Sequence, residues 1–200
     1  MKNIIFESNY TIKLFDKDKL LFSKTYPSNS WTNNYYYYIY CLATNTPPIV
    51  TDTTRLRNTS GTYVSSIPNN SYSPTTVEFW NNSSIGGDVG GAVIGTGTGA
   101  ETLTDNTLTL INNGTTSGKM SWGAISHTTD GSLAPTYTSA ISRLFTNSSG
   151  GTITVGECGL YGNFVGTLYL FNRDLLPSTI DVLNSQTFYL EYDLSITLPG

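Results

Sequence analysis

The chain has 200 residues, a formal net charge of −4 and a pI near 4.8, with 38% hydrophobic, 12% aromatic and 12% charged residues. That length suits one all-β domain or two small ones, and the apolar share suffices for a sizeable core. The charged share is about half the usual one, with no basic run to answer a phosphate backbone. No apolar stretch reaches the roughly 18 residues of a membrane helix, so nucleic-acid binding and membrane insertion are set aside.

Polarity comes instead from Thr, Ser, Asn and Gly, which suit strands, turns and loops, and nowhere do Ala, Leu, Glu, Lys and Arg accumulate as a helix would want. Met1 to Glu7 lacks the long apolar region and small-residue cleavage site of a signal peptide. It predicts a chain that stays in the cytoplasm where it is made, or leaves by lysis. Tyr10 to Phe15 alternates weakly, Asp16-Lys17-Asp18-Lys19 reads as a charged turn, and Leu20-Leu21-Phe22 resumes an apolar run. Five of the six lysines fall in this segment, and Pro27 to Ser30 reads as a break. Residues 1–34 are therefore expected to form an N-terminal extension ahead of a domain over 35–200. An added hairpin and an arm packing on a neighbouring subunit are equally open.

Tyr35 to Leu42 is strongly β-prone and aromatic on both faces, which predicts a strand buried on one side and covered on the other. Residues 43–76 read mostly as loop, with a short strand at Thr62-Tyr63-Val64. Val77 to Trp80 is a short strand, and Ile85 to Gly99 is either a glycine-loosened strand or a long loop. Thr107 to Ile111 and Lys119 to Ser126 read as strands, with turns at Asn112-Asn113-Gly114 and Thr129 to Ser132. Tyr137 to Thr146 alternates, Asn147 to Gly151 turns, and Thr152 to Val155 continues as a strand into Tyr161. Thr167 to Phe171 is a strand, Pro177 is a break, and Ile180 and Val182 alternate with polar residues before a turn at Asn184 to Gln186. Thr187 to Leu198 has the clearest signal: Phe188, Leu190, Tyr192, Leu194, Ile196 and Leu198 alternate with mostly polar residues, a period of two that a helix would scatter. Short strands separated by turns predict an antiparallel β-sandwich of jelly-roll-like character.

Candidate chemistry is sparse. His127 is the only histidine and has no Cys or second His at ligand spacing, and no serine sits in a nucleophile-elbow motif. Glu78, Glu101, Glu157 and Glu191 supply carboxylates, but no spacing pairs them as glycoside hydrolysis needs. Glu157 is expected in a structural ion pair with Arg143 or Arg173. Asp16-Lys17-Asp18 lacks the glycine and closing glutamate of a calcium loop. Gly95-Thr96-Gly97-Thr98-Gly99 resembles a phosphate cradle but lacks a strand-then-helix context and a following Lys, and reads as a flexible loop. Cys41 and Cys158 each fall in a predicted strand and read as buried free thiols, with a disulfide or a metal role as the alternative. Sequons such as Asn58-Thr59-Ser60 and Asn69-Asn70-Ser71 are expected by chance in so Asn- and Thr-rich a chain. Trp31, Tyr35 to Tyr38, Trp80 and Trp122 are either core, subunit interface or a sugar-stacking platform. No catalytic, cofactor-binding or metal-binding residue is assigned, and no catalysis is expected, with a β-sandwich hydrolase the least favoured class.

Arg143 to Tyr161 runs RLFTNSSGGTITVGECGLY. It resembles a pattern recurrent in small structural proteins of tailed bacteriophages, where a strand and an Asn/Ser/Gly turn lead to ITV, an acidic residue and GLY. Arg173-Asp174-Leu175-Leu176-Pro177, then Ile180-Asp181-Val182, continue the pattern, as does Leu42 to Leu56 with Thr51-Asp52-Thr53. Cys158, at a position often aliphatic in that pattern, departs from it. The resemblance spans roughly half of the chain, is one of pattern, and carries no functional residue across. It implies a virion structural protein, assembled in the host cytoplasm as a homo-oligomer on capsid, neck or tail. The partners it implies are other virion proteins and copies of itself. The competing expectation is a receptor- or host-glycan-binding module of a phage fibre.

Overall fold

A computed structural model describes residues 5–44, 56–64, 90–130, 135–164 and 167–198. Among these residues the strands are β1 (Ile5–Asp16), β2 (Lys19–Pro27), β3 (Leu56–Arg57), β4 (Tyr63–Val64), β5 (Gly91–Gly95), β6 (Ser121–Trp122), β7 (Ser126–Asp130), β8 (Thr136–Thr146), β9 (Ile153–Phe164), β10 (Thr167–Val182) and β11 (Gln186–Thr197), with one helix, α1 (Asn33–Thr44), after β2. The fold is an all-β sandwich. The larger sheet has the order β2-β1-β11-β8-β6, with β7 also on β8, and the smaller has the order β10-β9-β5. Among the described residues every pairing between strands is antiparallel, including the small β3–β4 ribbon.

β11 lies in the middle of the larger sheet. It pairs with β1 from Ile5↔Thr197 to Asp16↔Gln186, and with β8 from Thr187↔Thr146 to Thr197↔Thr136. Its alternation is what the sequence predicts: Phe188, Leu190 and Tyr192 are fully buried, together with Tyr10 and Ile12 of β1 and Ile141 and Phe145 of β8. From the smaller sheet, Val155, Cys158, Leu160 and Leu170 complete the core. β10 and β11 are consecutive yet lie in different sheets, so the turn at Asn184-Ser185 carries the chain across the sandwich. Ser185 takes a positive φ of 74° there, and the Gln186 side chain accepts from the Leu183 N–H at 2.9 Å. Residues 5–27 form a hairpin closed at Asp16–Lys19, with Lys17 at φ 55°, and its first strand lies between β2 and β11.

Several local expectations are corrected. Tyr35 to Leu42 is not a strand but most of α1. β-propensity is a weak prior that tertiary contacts override. Thr32 caps the helix, with its carbonyl accepting from Tyr35 N at 3.1 Å and its hydroxyl donating to Leu170 O at 2.6 Å. Asn34 then ties the first turn to Leu170 O at 3.0 Å and to both backbone groups of Arg57. Trp31, Tyr35, Tyr38 and Ile39 are spaced as one face of a helix, a signal masked by the run of tyrosines. Cys41 therefore lies in a helix.

Thr107 to Ile111 forms only an isolated bridge, Leu110↔Gly95. Side chains of β9 capture its amides: Thr109 N donates to Glu157 at 2.6 Å and Leu108 N to Tyr161 OH at 3.1 Å. Of Lys119 to Ser126 only Ser121–Trp122 and Ser126 are in strands, Ser126 opening β7, which runs through Thr129 and Asp130 where a turn is predicted. Pro177 does not end β10. It sits in the gap between Leu175↔Glu157 and Ile180↔Val155, where a residue without an amide hydrogen disrupts no ladder bond. Val77 to Trp80, including Glu78, and Thr51 to Thr53 lie outside the described residues.

Burial makes a direct test. Leu190 is fully buried at the centre of the sheet, whereas Ile196, one pair from its end, is 43% exposed. Leu190→Ala is expected to lower unfolding free energy by about 2–5 kcal/mol, and Ile196→Ala by well under about 1.5 kcal/mol, in urea titrations.

Candidate functional site

Three polar clusters and one apolar surface could carry chemistry. The first is built on Glu157, which is fully buried in β9. Its carboxylate accepts from Arg173 Nε at 2.6 Å, Thr109 N at 2.6 Å and Gly97 N at 3.1 Å. Arg173 also reaches Asp105 at 2.7 Å and the carbonyls of Gly99 and Ala100 at 2.9 and 3.2 Å. The expected ion pair of Glu157 is thus with Arg173. Arg143 is elsewhere, buried over the Trp122 ring at 4.8 Å and donating to Gly123 O at 3.0 Å. Burial opposes ionisation of Asp105, but hydrogen bonds from Thr102 and Arg173 outweigh it and hold the carboxyl below its usual range.

The glycine run at 95–99 is a cradle, but for the chain's own carboxylate. A Cβ on Gly95 would lie 2.6 Å from Glu157 Oε1, and one on Gly97 would overlap the same carboxylate. Gly95 ends β5, and residues 96–99 are the loop the sequence predicts, held against Glu157 at Gly97.

The second cluster joins the two sheets. Asp174 accepts from Ser28 Oγ at 2.7 Å, Tyr192 OH at 3.1 Å and Asn29 N at 3.3 Å. Burial pushes its pKa up to about 6, against the lowering effect of these hydrogen bonds. Tyr192 OH also lies 3.2 Å from Cys158 Sγ, and burial pushes that thiol well above its usual value. A thiol so placed is not a nucleophile at neutral pH. Glu101 stands at the cluster's outer edge, accepting from the Ser30 hydroxyl and the Leu175 amide. The third cluster is His127, whose Nε2 lies 2.9 Å from Ser139 Oγ across the β7–β8 pair. Among the described residues no carboxylate holds its other ring nitrogen, and no group of His, Cys, Asp and Glu has the arrangement of a metal site. Glu191 lies on the opposite, outward face of β11 and accepts from Tyr189 OH at 2.5 Å.

The apolar surface is where the larger sheet's inner face meets α1. The register places Phe6, Ile196 and Tyr137 in one row across β1, β11 and β8, with Ser8, Leu194 and Ser139 in the next. Across from them stand Tyr35, Tyr38 and Ile39, enclosing a hollow of about 360 Å³. Phe6 also borders a second hollow of about 500 Å³, with Trp31 and Tyr36 on its walls and Glu7, Asn9 and Asn29 at its rim. Trp31 is anchored inward by a 3.1 Å bond from its indole N–H to Ser8 Oγ and stacks at 4.1 Å on Tyr35. Of the predicted aromatic platform, Trp31 and Trp122 are core residues at 6% and 2% exposure, and only Tyr36, at 55%, points out. Trp80 lies outside the described residues. Phe6, Ile39, Tyr137 and Ile196 escape sequence reasoning. The β11 alternation signals Ile196 as core, and nothing in it marks the end at which the core opens.

No protein-family model matches the chain, and no curated protein and no solved structure matches it either. No helix among the described residues is long and apolar enough to cross a membrane.

Two measurements test these clusters. Arg173→Met strands the buried Glu157 carboxylate, and the variant is expected to lose roughly 3–5 kcal/mol in urea denaturation. Asp174 has a folded pKa above its unfolded value, so its contribution to stability is fully present below about pH 4 and is lost as pH rises through about 6. The urea midpoint is therefore expected to rise on going from pH 7.5 to pH 5, by about 1 kcal/mol of stability. In Asp174→Asn most of that rise should vanish.

Proposed function

We propose that this protein is a structural component of a tailed-phage virion, working by contact with neighbouring subunits and not by turnover. The observation that carries this reading is the uncharged aromatic and aliphatic surface around Phe6. Phe6, Ile39, Tyr137 and Ile196 are each more than 40% exposed there, and none of the residues enclosing the 360 Å³ hollow that they line is charged. Large exposed apolar patches mark interaction sites. The mixture of aliphatic side chains with the rings suits a protein surface better than a sugar, which stacks on exposed flat aromatics.

The polar clusters point the same way. Glu157, Arg173, Asp105 and Asp174 are spent on one another, on backbone amides and on hydroxyls, which is how such groups serve a rigid scaffold. The tailed-phage pattern at Arg143 to Tyr161 now reads physically: its acidic residue is the Glu157 clamp and its glycine, Gly159, lies where a Cβ would overlap the Asn172 carbonyl. The role would be to attach to, connect or decorate capsid, neck or tail, with other virion proteins and copies of the chain as partners.

A second reading, a glycan-binding module of a phage fibre, is favoured by the other hollow. There the exposed Tyr36 ring stands beside Glu7, Asn9 and Asn29, side chains able to bond sugar hydroxyls. Light scattering behind a sizing column separates the two. The assembly reading expects a defined multiple of the 21.8 kDa chain. A strict monomer that is retained by immobilised glycans, and loses retention in Tyr36→Ser, would replace it with the second.

A further inference from the structure

We infer that the surface around Phe6 is the seat of a second copy of this chain, packed face to face about a two-fold axis. The inference rests on the assembly reading above and names the contact through which it begins.

Size is the first argument. Phe6, Tyr36, Ile39, Tyr137, Ile196 and Leu198 are 41%, 55%, 43%, 47%, 43% and 40% exposed. Together they present on the order of 600 Å² of mainly apolar surface, close to the roughly 800 Å² per partner of a standard stable interface. They are contiguous. Phe6, Ile196 and Tyr137 share a row, Leu198 follows two residues after Ile196 just past the end of β11, and Ile39 and Tyr36 belong to the facing helix.

Charge is the second. The chain carries a net −4, so two copies carry a net mutual repulsion. The outer face of the larger sheet shows the problem, with Glu7, Glu191 and Asp193 in adjoining register rows. The hollow between α1 and the sheet end is enclosed by Phe6, Tyr35, Tyr38, Ile39, Leu194 and Ile196 and by uncharged residues of β8. Two copies meeting over this hollow bury no charge there, which a two-fold interface requires of any residue near its axis, and Glu7 borders only the neighbouring hollow.

Shape is the third. A two-fold interface must be complementary to itself, with projection and recess on one face. Here Tyr36, exposed on α1, projects beside the 500 Å³ hollow, which shares Phe6 with the 360 Å³ hollow, itself large enough for a tyrosine side chain. The sheet edge offers a poorer route. β2 is blunted by the register shift near Leu14/Phe15, by Lys19 and Lys24, and by Pro27, all devices that discourage strand addition.

The test uses the full chain and three variants with exposed target positions, so that folding is retained: Ile196→Asp, Tyr137→Asp and, as a control on the hairpin turn, Leu20→Asp. Mass is measured by light scattering across a hundredfold range of concentration, with thermal melts of each variant. The inference expects a dimer or an even-numbered assembly. Ile196→Asp and Tyr137→Asp should shift its dissociation at least a hundredfold towards monomer, with Leu20→Asp behaving as the parent. An assembly that both patch variants leave intact overturns the inference while the assembly reading stands. A parent that is monomeric throughout overturns the inference and the self-association part of that reading together. A monomeric parent whose melting temperature falls sharply in both patch variants also overturns it, and assigns the surface to a segment of the same chain.

Discussion

The structure depends on β11 being paired along both edges. Its twelve residues fix the register of β1 on one side and β8 on the other, strands far apart in the sequence. Side chains alternate with a period of two, so a slip of one residue would turn Phe188, Leu190 and Tyr192 to solvent and bring Tyr189, Glu191 and Asp193 into the core. The cost of burying two carboxylates there specifies the register. Everything on the larger sheet's inner face follows from it, including the Tyr192 hydroxyl that reaches Asp174 and Cys158 in the other sheet, and the row of Phe6, Ile196 and Tyr137 at the open end.

The smaller sheet meets a different constraint. β9 is buried along nearly its whole length, with one face on the larger sheet and the other under residues 96–111. A segment that covers a strand without joining its ladder leaves amides in need of acceptors. Glu157 supplies them, and Arg173 offsets the charge that it brings inside. The glycines at 95 and 97 let the backbone approach that carboxylate closely. Low overall charge and a few fully engaged buried charges are thus one design, in which ionic groups fix the position of loops and the exposed surface remains available for contact.

Along the sandwich, the core closes where the two sheets face each other and opens where α1 replaces the smaller sheet opposite Ile196. Thr32 and Asn34 place the helix by bonding to Leu170 and Arg57, and Trp31 wedges between β1 and the helix. The helix stands off far enough to leave a hollow. An incomplete core at one end of a stable sandwich is a natural place for association, because the apolar rows are already ordered and little further freedom is lost on binding.

The sequence by itself determined the class of fold and the clearest strands. β8, β9 and β11 are legible from alternation and turn residues, because a half-buried strand imposes its period directly on the chain. The charged turn at Asp16–Lys19 and the ion pairing of Glu157 were legible for the same kind of local reason. What only the tertiary structure decided lies where distant segments compete with local preference. The tyrosine run became a helix because Leu170 and Arg57 hold its first turn. Thr107 to Ile111 lost its strand pairing because Glu157 and Tyr161 took its amides. The GTGTG run became a cradle because a carboxylate sixty residues away sits in it. Likewise, Ile196 has the same alternation as Leu190 and yet is exposed, since period alone marks which face a residue is on and not whether another layer covers it.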